Sequence, residues 1–344
     1  MVIFLTCLVI FLLIVNITGF VFSGPAYRGP VTDHFNGRRF INPTGIKARG
    51  PRDVFKWMYT RKRGAWVENK TINFGEKPFA KVDDGVRITF INHSTFLIQV
   101  DGLNILTDPV WSERTSPFSF MGPKRMRQPG IAFDDLPKID VVLLSHNHYD
   151  HLDLPTVKKI ADRHKPKIIT PLGVKAFLEK NNIPGEVDLD WWSEYDLTNT
   201  IKIQATPAQH FSGRGTYDRD ATLWCGYVIK RSDGNIYFAG DTGYNIKTFN
   251  EIGERCHPIK IALIPIGAYK PQWFMSPIHC SPEEAVQIHK EIKSELSIAT
   301  HFGTFPLADD SENDPKDALT EALKNNSIEA SSFIILPEGE GRTF

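Results

Sequence analysis

Four metal-capable side chains fall within six positions of this 344-residue chain: His146, His148, Asp150 and His151, in Ser145-His146-Asn147-His148-Tyr149-Asp150-His151. They follow Ile139-Asp140-Val141-Val142-Leu143-Leu144, a β-branched run that reads as a buried strand handing ligands to a loop. In an extended chain, positions i and i+2 face the same side. His146 and His148 can therefore clasp one ion, while Asp150 and His151, past the bend, can reach a second.

Three further ligand-type residues end apolar runs. His210 follows Ile201-Lys202-Ile203-Gln204-Ala205-Thr206-Pro207-Ala208-Gln209, Asp241 follows Ile236-Tyr237-Phe238-Ala239-Gly240, and His301 follows Ser297-Ile298-Ala299-Thr300. A single strand-end histidine is more often a structural residue than a ligand. Three of them behind a four-residue cluster read differently, because strand ends on one edge of a sheet converge. Five histidines and two aspartates suit two borderline cations, zinc first, with iron or manganese as the other candidates. Structural zinc sites are closed and thiolate-rich, and this set contains no cysteine.

The elements that must position these residues are legible as apolar runs. Strands are expected over 86–91, 95–100, 103–106, 140–144, 167–169, 201–205, 222–229, 236–239, 259–266, 296–300 and 333–336. Helices are expected over 154–164, 173–181, 281–293 and 315–325. Ser281-Pro282-Glu283-Glu284 is a helix start, with a capping serine, proline at the first turn and acids that complement the dipole. Hairpins plus strand–helix alternation predict an α/β fold with two stacked mixed sheets and helices outside. With 41% hydrophobic residues the chain can bury a sizeable core. A formal net charge of zero gives no whole-chain attraction to nucleic acid. Cys7, Cys225, Cys256 and Cys280 form no disulfide framework and read as free thiols.

Three regions are expected. Residues 1–23 are almost continuously apolar and long enough for a ~30 Å hydrocarbon core. They predict a single N-terminal membrane anchor, with a cleaved signal as the alternative. Arg28, Arg38 and Arg39 behind that span would keep the catalytic domain on the cytoplasmic side. Residues 24–84 are rich in Gly, Pro, Arg and aromatics. They read either as a basic aromatic face on lipid headgroups or as an extension packed over the body. Residues 85–344 form the main domain.

The order HxHxDH, then a distant His, an Asp after an apolar strand and a last His, resembles the metallo-β-lactamase superfamily, which implies an αββα sandwich. Within it the chain resembles the N-acylphosphatidylethanolamine-hydrolysing phospholipase D family. That likeness rests on Thr107-Asp108-Pro109-Val110-Trp111, Met121-Gly122-Pro123-Lys124-Arg125, Asp190-Trp191-Trp192, the run 264–275 and His301-Phe302-Gly303-Thr304-Phe305. It spans roughly residues 85 to 340.

The resemblance implies two zinc ions, one held by His146, His148 and His210 and the other by Asp150, His151 and His301, with Asp241 bridging. Asp108 is expected to accept a hydrogen bond from a ligand imidazole rather than to touch metal. Such ions generate a nucleophile at neutral pH by lowering the pKa of water to about 7. Asp150 or a metal-bound water is the expected proton donor to the leaving group, and Asp150 and Asp241 are the catalytic candidates. His279 is a candidate phosphate contact, or a solvent-facing loop histidine. Tyr269, Trp273 and Phe274 are candidates for an acyl-chain groove, or simply core. Lys124, Arg125 and Arg127 are expected either to meet lipid phosphate or to form a solvated basic loop.

The implied activity is a membrane-associated phosphodiesterase of phospholipase D type, acting on N-acylphosphatidylethanolamine. Its expected partners are a phospholipid substrate and a bilayer, not nucleic acid, with a homodimer left open. Two alternatives stand: a hydrolase of lactones, thioesters or other small carbonyl substrates on the same centre, and a non-catalytic, membrane-tethered zinc protein.

Overall fold

The computed structural model describes residues 6, 13, 15–71, 73–185 and 187–344. Among these, the strands form two seven-stranded sheets. One runs, in spatial order, β14 (Gly341–Thr343), β1 (Val86–Asn92), β2 (Thr95–Val100), β3 (Leu103–Thr107), β4 (Val141–Leu143), β5 (Lys167–Pro171) and β6 (Val187–Leu189). The other runs β13 (Phe333–Ile334), β12 (Leu296–Thr300), β11 (Ile259–Pro265), β10 (Asn235–Phe238), β9 (Gly226–Lys230), β8 (Lys202–Thr206) and β7 (Glu194–Asp196). Both are mixed. The first is antiparallel from β14 to β3 and parallel from β3 to β6. The second is parallel from β13 to β10 and antiparallel from β10 to β7.

Side-chain alternation explains the layers. Val141 and Leu143 face the core between the sheets, while Val142 and Leu144 face a second core outside. A strand covered on both faces must be apolar throughout. The outer core is closed by α2 (Leu154–His164) through Val157 and Ile160, and by α3 (Val174–Lys180) through Val174 and Leu178. On the second sheet lie α4 (Ile246–Arg255), α6 (Pro282–Glu291) and α7 (Asp314–Asn325), which bury Phe249, Val286 and Leu319. Each such aliphatic burial stabilises by about 1.5–3 kcal/mol. The result is the expected αββα sandwich. Ser281 and Glu284 make a reciprocal capping box at the start of α6, where the sequence placed it.

Every strand and helix expected from periodicity forms. The elements missed were β6, β7 and β14, too short to show a period, and α1 (Pro51–Thr60), α4 and α5 (Gln272–Met275). Helix α1 buries none of its residues fully; Val54 and Trp57, one turn apart, pack part-buried against the cluster of Phe274 and Met275.

The N-terminal expectation is corrected. Among the described residues no helix is long and apolar enough to cross a membrane, which overturns the expected single spanning anchor. A span needs about 20 residues of continuous apolar helix; at this end the described helical residues are 6, 13 and the stretch 15–22. That stretch runs into the body, where Phe22 meets Phe118 edge-on at 5.2 Å and the Tyr217 amide donates to the Ser23 hydroxyl. The rest of the apolar leader (1–5, 7–12 and 14) lies outside the described residues. Residues from the 24–84 segment pack on the body as well. Phe35 and Phe40 join Leu223 and Trp224 in one cluster, and Trp57 stacks on Phe274 at 4.8 Å.

Candidate metal centre

Strands β3, β4, β8, β10 and β12 deliver Asp108, the HxHxDH loop, His210, Asp241 and His301 to one edge of the sandwich. The loop after β4 is anchored by Asp108. Its carboxylate accepts from the Ser145 amide (2.7 Å), the Ser145 hydroxyl (2.6 Å) and His151 Nδ1 (2.7 Å). Those bonds turn His151 Nε2 toward the centre. The Ser145 hydroxyl also accepts from His146 Nδ1 at 2.9 Å, which leaves His146 Nε2 facing inward. His210 Nδ1 donates to the Ile278 carbonyl (2.7 Å), so its Nε2 faces inward too.

Two overlapping groups result. His146 Nε2 and His210 Nε2 lie 2.8 and 3.3 Å from His148 Nδ1. Beside them, Asp150 Oδ2 lies 3.4 Å from both His151 Nε2 and His301 Nε2. Asp241 Oδ2 sits between the groups, 3.1 Å from His151 Nε2, 3.1 Å from His301 Nε2 and 3.7 Å from His210 Nε2. Within each cluster, His146/His148/His210, His146/His151/Asp241 and His93/Asp150/His151/His301, the ligand atoms lie within 4.8 Å of one another.

The electrostatics fit cations. Burial draws His148 and His210 down to about 3 and His146 well below the ordinary imidazole range, so their lone pairs are available. Burial also opposes charge on His151 and His301. There Asp241, seconded by Asp150, wins, holding His151 well above the ordinary value and raising His301 to about 9. Protons on those two rings thus stand where a cation would sit. Asp241 Oδ1 and the inward-facing Nε2 atoms of His151 and His301 are buried without a hydrogen-bond partner. Buried polar atoms seldom go unpaired without a reason, and ligation by a metal is one that this donor set fits.

Gly240, just before Asp241, has φ +61°, and a Cβ there would lie 2.7 Å from Ser145 Cβ. Only a glycine lets β10 approach the HxHxDH loop this closely. His93 was missed from sequence. It occupies the β1–β2 turn at φ +49°, its Nε2 lies 3.1 Å from Asp150 Oδ2, and its ring is 4.1 Å from that of His301. A histidine in a tight turn between two apolar runs was the available signal.

The other expected residues are placed as follows. His279 Nδ1 lies 3.9 Å from Asp241 Oδ2, at the edge of the centre. Tyr269 and Phe274 are buried, while Trp273 is partly exposed under Lys56, 4.7 Å from its ring. Lys124 pairs with Glu68 at 2.6 Å, and Arg127 bridges Glu312 and Glu338. Arg125 is 1% exposed; it donates to the carbonyls of Val110, Ser112 and Arg127 and lies over the Phe305 ring. Arg125 thus braces the loop from within, whereas Lys124 and Arg127 keep 38% and 25% of their side chains exposed beside their acidic partners.

An αββα sandwich with this histidine–aspartate edge is the architecture of a metal-dependent hydrolase, and the chain belongs to the metallo-β-lactamase superfamily: residues 103–302 match the Beta-lactamase superfamily domain. The N-acyl-phosphatidylethanolamine-hydrolyzing phospholipase D 1 of Caenorhabditis elegans is 37% identical over 75% of this chain and 76% of its own length. The mitochondrial enzyme of the same name from Saccharomyces cerevisiae is 36% identical over 67% of this chain and 50% of its own length. A UPF0173 metal-dependent hydrolase of Caldivirga maquilingensis is 28% identical over 69% and 90%. Among solved structures, a metallo hydrolase from Ignicoccus hospitalis superposes with a TM-score of 0.57 at 26% identity, covering 76% of this chain and 99% of that one.

Proposed function

We propose that this chain is a dinuclear zinc phosphodiesterase that hydrolyses N-acylphosphatidylethanolamine to an N-acylethanolamine and phosphatidic acid. The observation that carries the reading is the meeting of a three-histidine pocket and a carboxylate–histidine pocket at Asp241. The reaction class and substrate are supported by the likeness to the worm and yeast phospholipases.

His146, His148 and His210 would hold one zinc, Asp150, His151 and His301 the other, and Asp241 both. When bound, such ions supply Lewis acidity and bring the pKa of water to about 7. The chain's own residues orient and move protons. Asp108 fixes the tautomer of His151 directly and steadies His146 through Ser145. Hydrolysis puts the water oxygen on phosphorus and a proton on the departing ethanolamide oxygen. Asp150 is assigned to carry that proton, because its side chain is 14% exposed while those of His151 and His301 are fully enclosed. His279, at the rim, is assigned to a phosphate oxygen. A cavity of about 540 Å³ beside the loop is lined by Phe22, Phe118, Leu154 and Phe177 and touches Tyr149 and Asp153. Its apolar wall supports it as a second candidate for the acyl chain, in addition to the groove expected from Tyr269, Trp273 and Phe274.

The test is metal content per chain on protein purified without chelator, with hydrolysis of micellar N-acylphosphatidylethanolamine followed by mass spectrometry. About two zincs with release of both products is the expected result. The UPF0173 relative, whose name says only that it is a metal-dependent hydrolase, keeps a second reading in view, in which the same centre hydrolyses lactones, thioesters or other small carbonyl substrates. Two metals, inert lipid and turnover in a lactone and thioester panel would replace the first reading with the second.

A further inference from the structure

The family match begins at residue 103, yet the backbone of His210 is held by a side chain from the 24–84 segment. Asn42 is 8% exposed and uses its whole amide. Its Oδ1 accepts from the His210 amide (2.9 Å) and from Trp224 Nε1 (3.0 Å). Its Nδ2 donates to the carbonyls of His210 (2.9 Å) and Ile46 (2.8 Å). An asparagine amide offers two donors and two acceptor lone pairs, and all four are engaged here.

The surrounding segment is built to deliver it. Tyr27, Phe35 and Phe40 form an aromatic cluster against Leu223 and Trp224. The Phe40 amide donates to the Asp220 carbonyl, and His34 is tied to Asp190 at 2.7 Å. Asn42 then opens a turn closed by the Gly45 amide (2.8 Å). From that turn the Thr44 hydroxyl donates to Gln209 Oε1 (2.8 Å), and Gln209 Nε2 donates to the Pro277 carbonyl. One turn of the segment therefore grips residues 209 and 210, and through Pro277 it reaches the stretch that carries Ile278, the acceptor of His210 Nδ1.

We propose that Asn42 is a positioning residue of the centre, and that the 24–48 segment is an obligatory part of the pocket formed by His146, His148 and His210. The inference rests on reading those three histidines as one metal pocket. Asn42 fixes where His210 Nε2 points by clamping both polar groups of the His210 backbone. The isosteric change Asn42→Asp keeps the acceptor but replaces the donor. It sets a carboxylate oxygen against the carbonyls of His210 and Ile46.

The experiment compares full-length wild type, Asn42→Asp, Thr44→Val and His210→Ala after cobalt substitution. It reads metal per chain by mass spectrometry, the visible d–d bands, and affinity by competition with a chelating dye. Asn42→Asp is expected to lose the same ion and the same band as His210→Ala, or to bind that ion 10–100-fold more weakly, with the second ion retained. Thr44→Val, at an exposed turn position, should shift that affinity severalfold in the same direction; if Asn42→Asp does not fold, this variant decides alone. If the Asn42→Asp protein, or failing it Thr44→Val, holds both ions with wild-type bands and affinity while His210→Ala loses one, the inference is wrong. A wild-type protein that binds no metal would instead overturn the reading beneath it.

Discussion

The pocket of His146, His148 and His210 and the pocket of His93, Asp150, His151 and His301 share Asp241 as neighbour, but they are supported differently. The first is oriented by neutral groups: the Ser145 hydroxyl for His146, the Ile278 carbonyl for His210, and Asn42 for the His210 backbone. The second is oriented by charge, with Asp108 on His151 and Asp150 against three imidazoles. A pocket framed by dipoles depends on distant chain segments to aim its donors. A pocket framed by carboxylates is held by acids immediately beside it, of which Asp150 is itself a ligand candidate. Damage to the frame should therefore unload the first pocket while sparing the second, and loss of a carboxylate should do the reverse.

The harshest way to break this contrast is to remove the residue both pockets share. Asp241→Ala is expected to lower turnover by on the order of 10³-fold or more and to weaken both ions. His301→Ala should be as damaging to turnover while leaving one ion per chain. Metal analysis beside steady-state rates checks both, and a His301→Ala protein with two tightly held ions would erase the distinction. Next in size, Asp108→Asn keeps the shape but forfeits the charge that fixes His151, and should cost about 10–100-fold in metal affinity or rate. Chelator competition should show the loss chiefly at the carboxylate pocket. Gly240→Ala places a methyl 2.7 Å from Ser145 Cβ at φ +61° and should destabilise the metal-free protein by about 1–3 kcal/mol, read as a fall in urea midpoint. At the small end, Lys124→Ala removes the 2.6 Å contact with Glu68 at a part-exposed position. It should move stability by no more than about 1 kcal/mol and touch neither pocket; loss of metal in that variant would show that the 124–127 loop reaches the centre.

The sequence was most legible where a ligand directly follows a strand. HxHxDH, His210, Asp241 and His301 each trail an apolar run, so one rule finds them all. His93 escaped because it sits in a turn between strands, where polar residues are ordinary and φ +49° cannot be read from spacing. Asn42 escaped because its partner is 168 residues away, and a clamp on backbone atoms leaves no residue-type signature. The strands lost to view, β6, β7 and β14, span three residues each, less than the alternation needs to declare itself. The anchor expectation rested on apolar composition alone, and no helix among the described residues is long and apolar enough to meet it.

Arg125 deserves a different use from the one its charge invites. Its guanidinium is sealed beneath Phe305 and spent on the three carbonyls of Val110, Ser112 and Arg127. A dicarbonyl reagent selective for arginine can reach it only when the strand-end loops part. The rate at which mass spectrometry finds that one residue labelled is thus a clock for breathing at the rim of the centre, legible without substrate, metal or mutation.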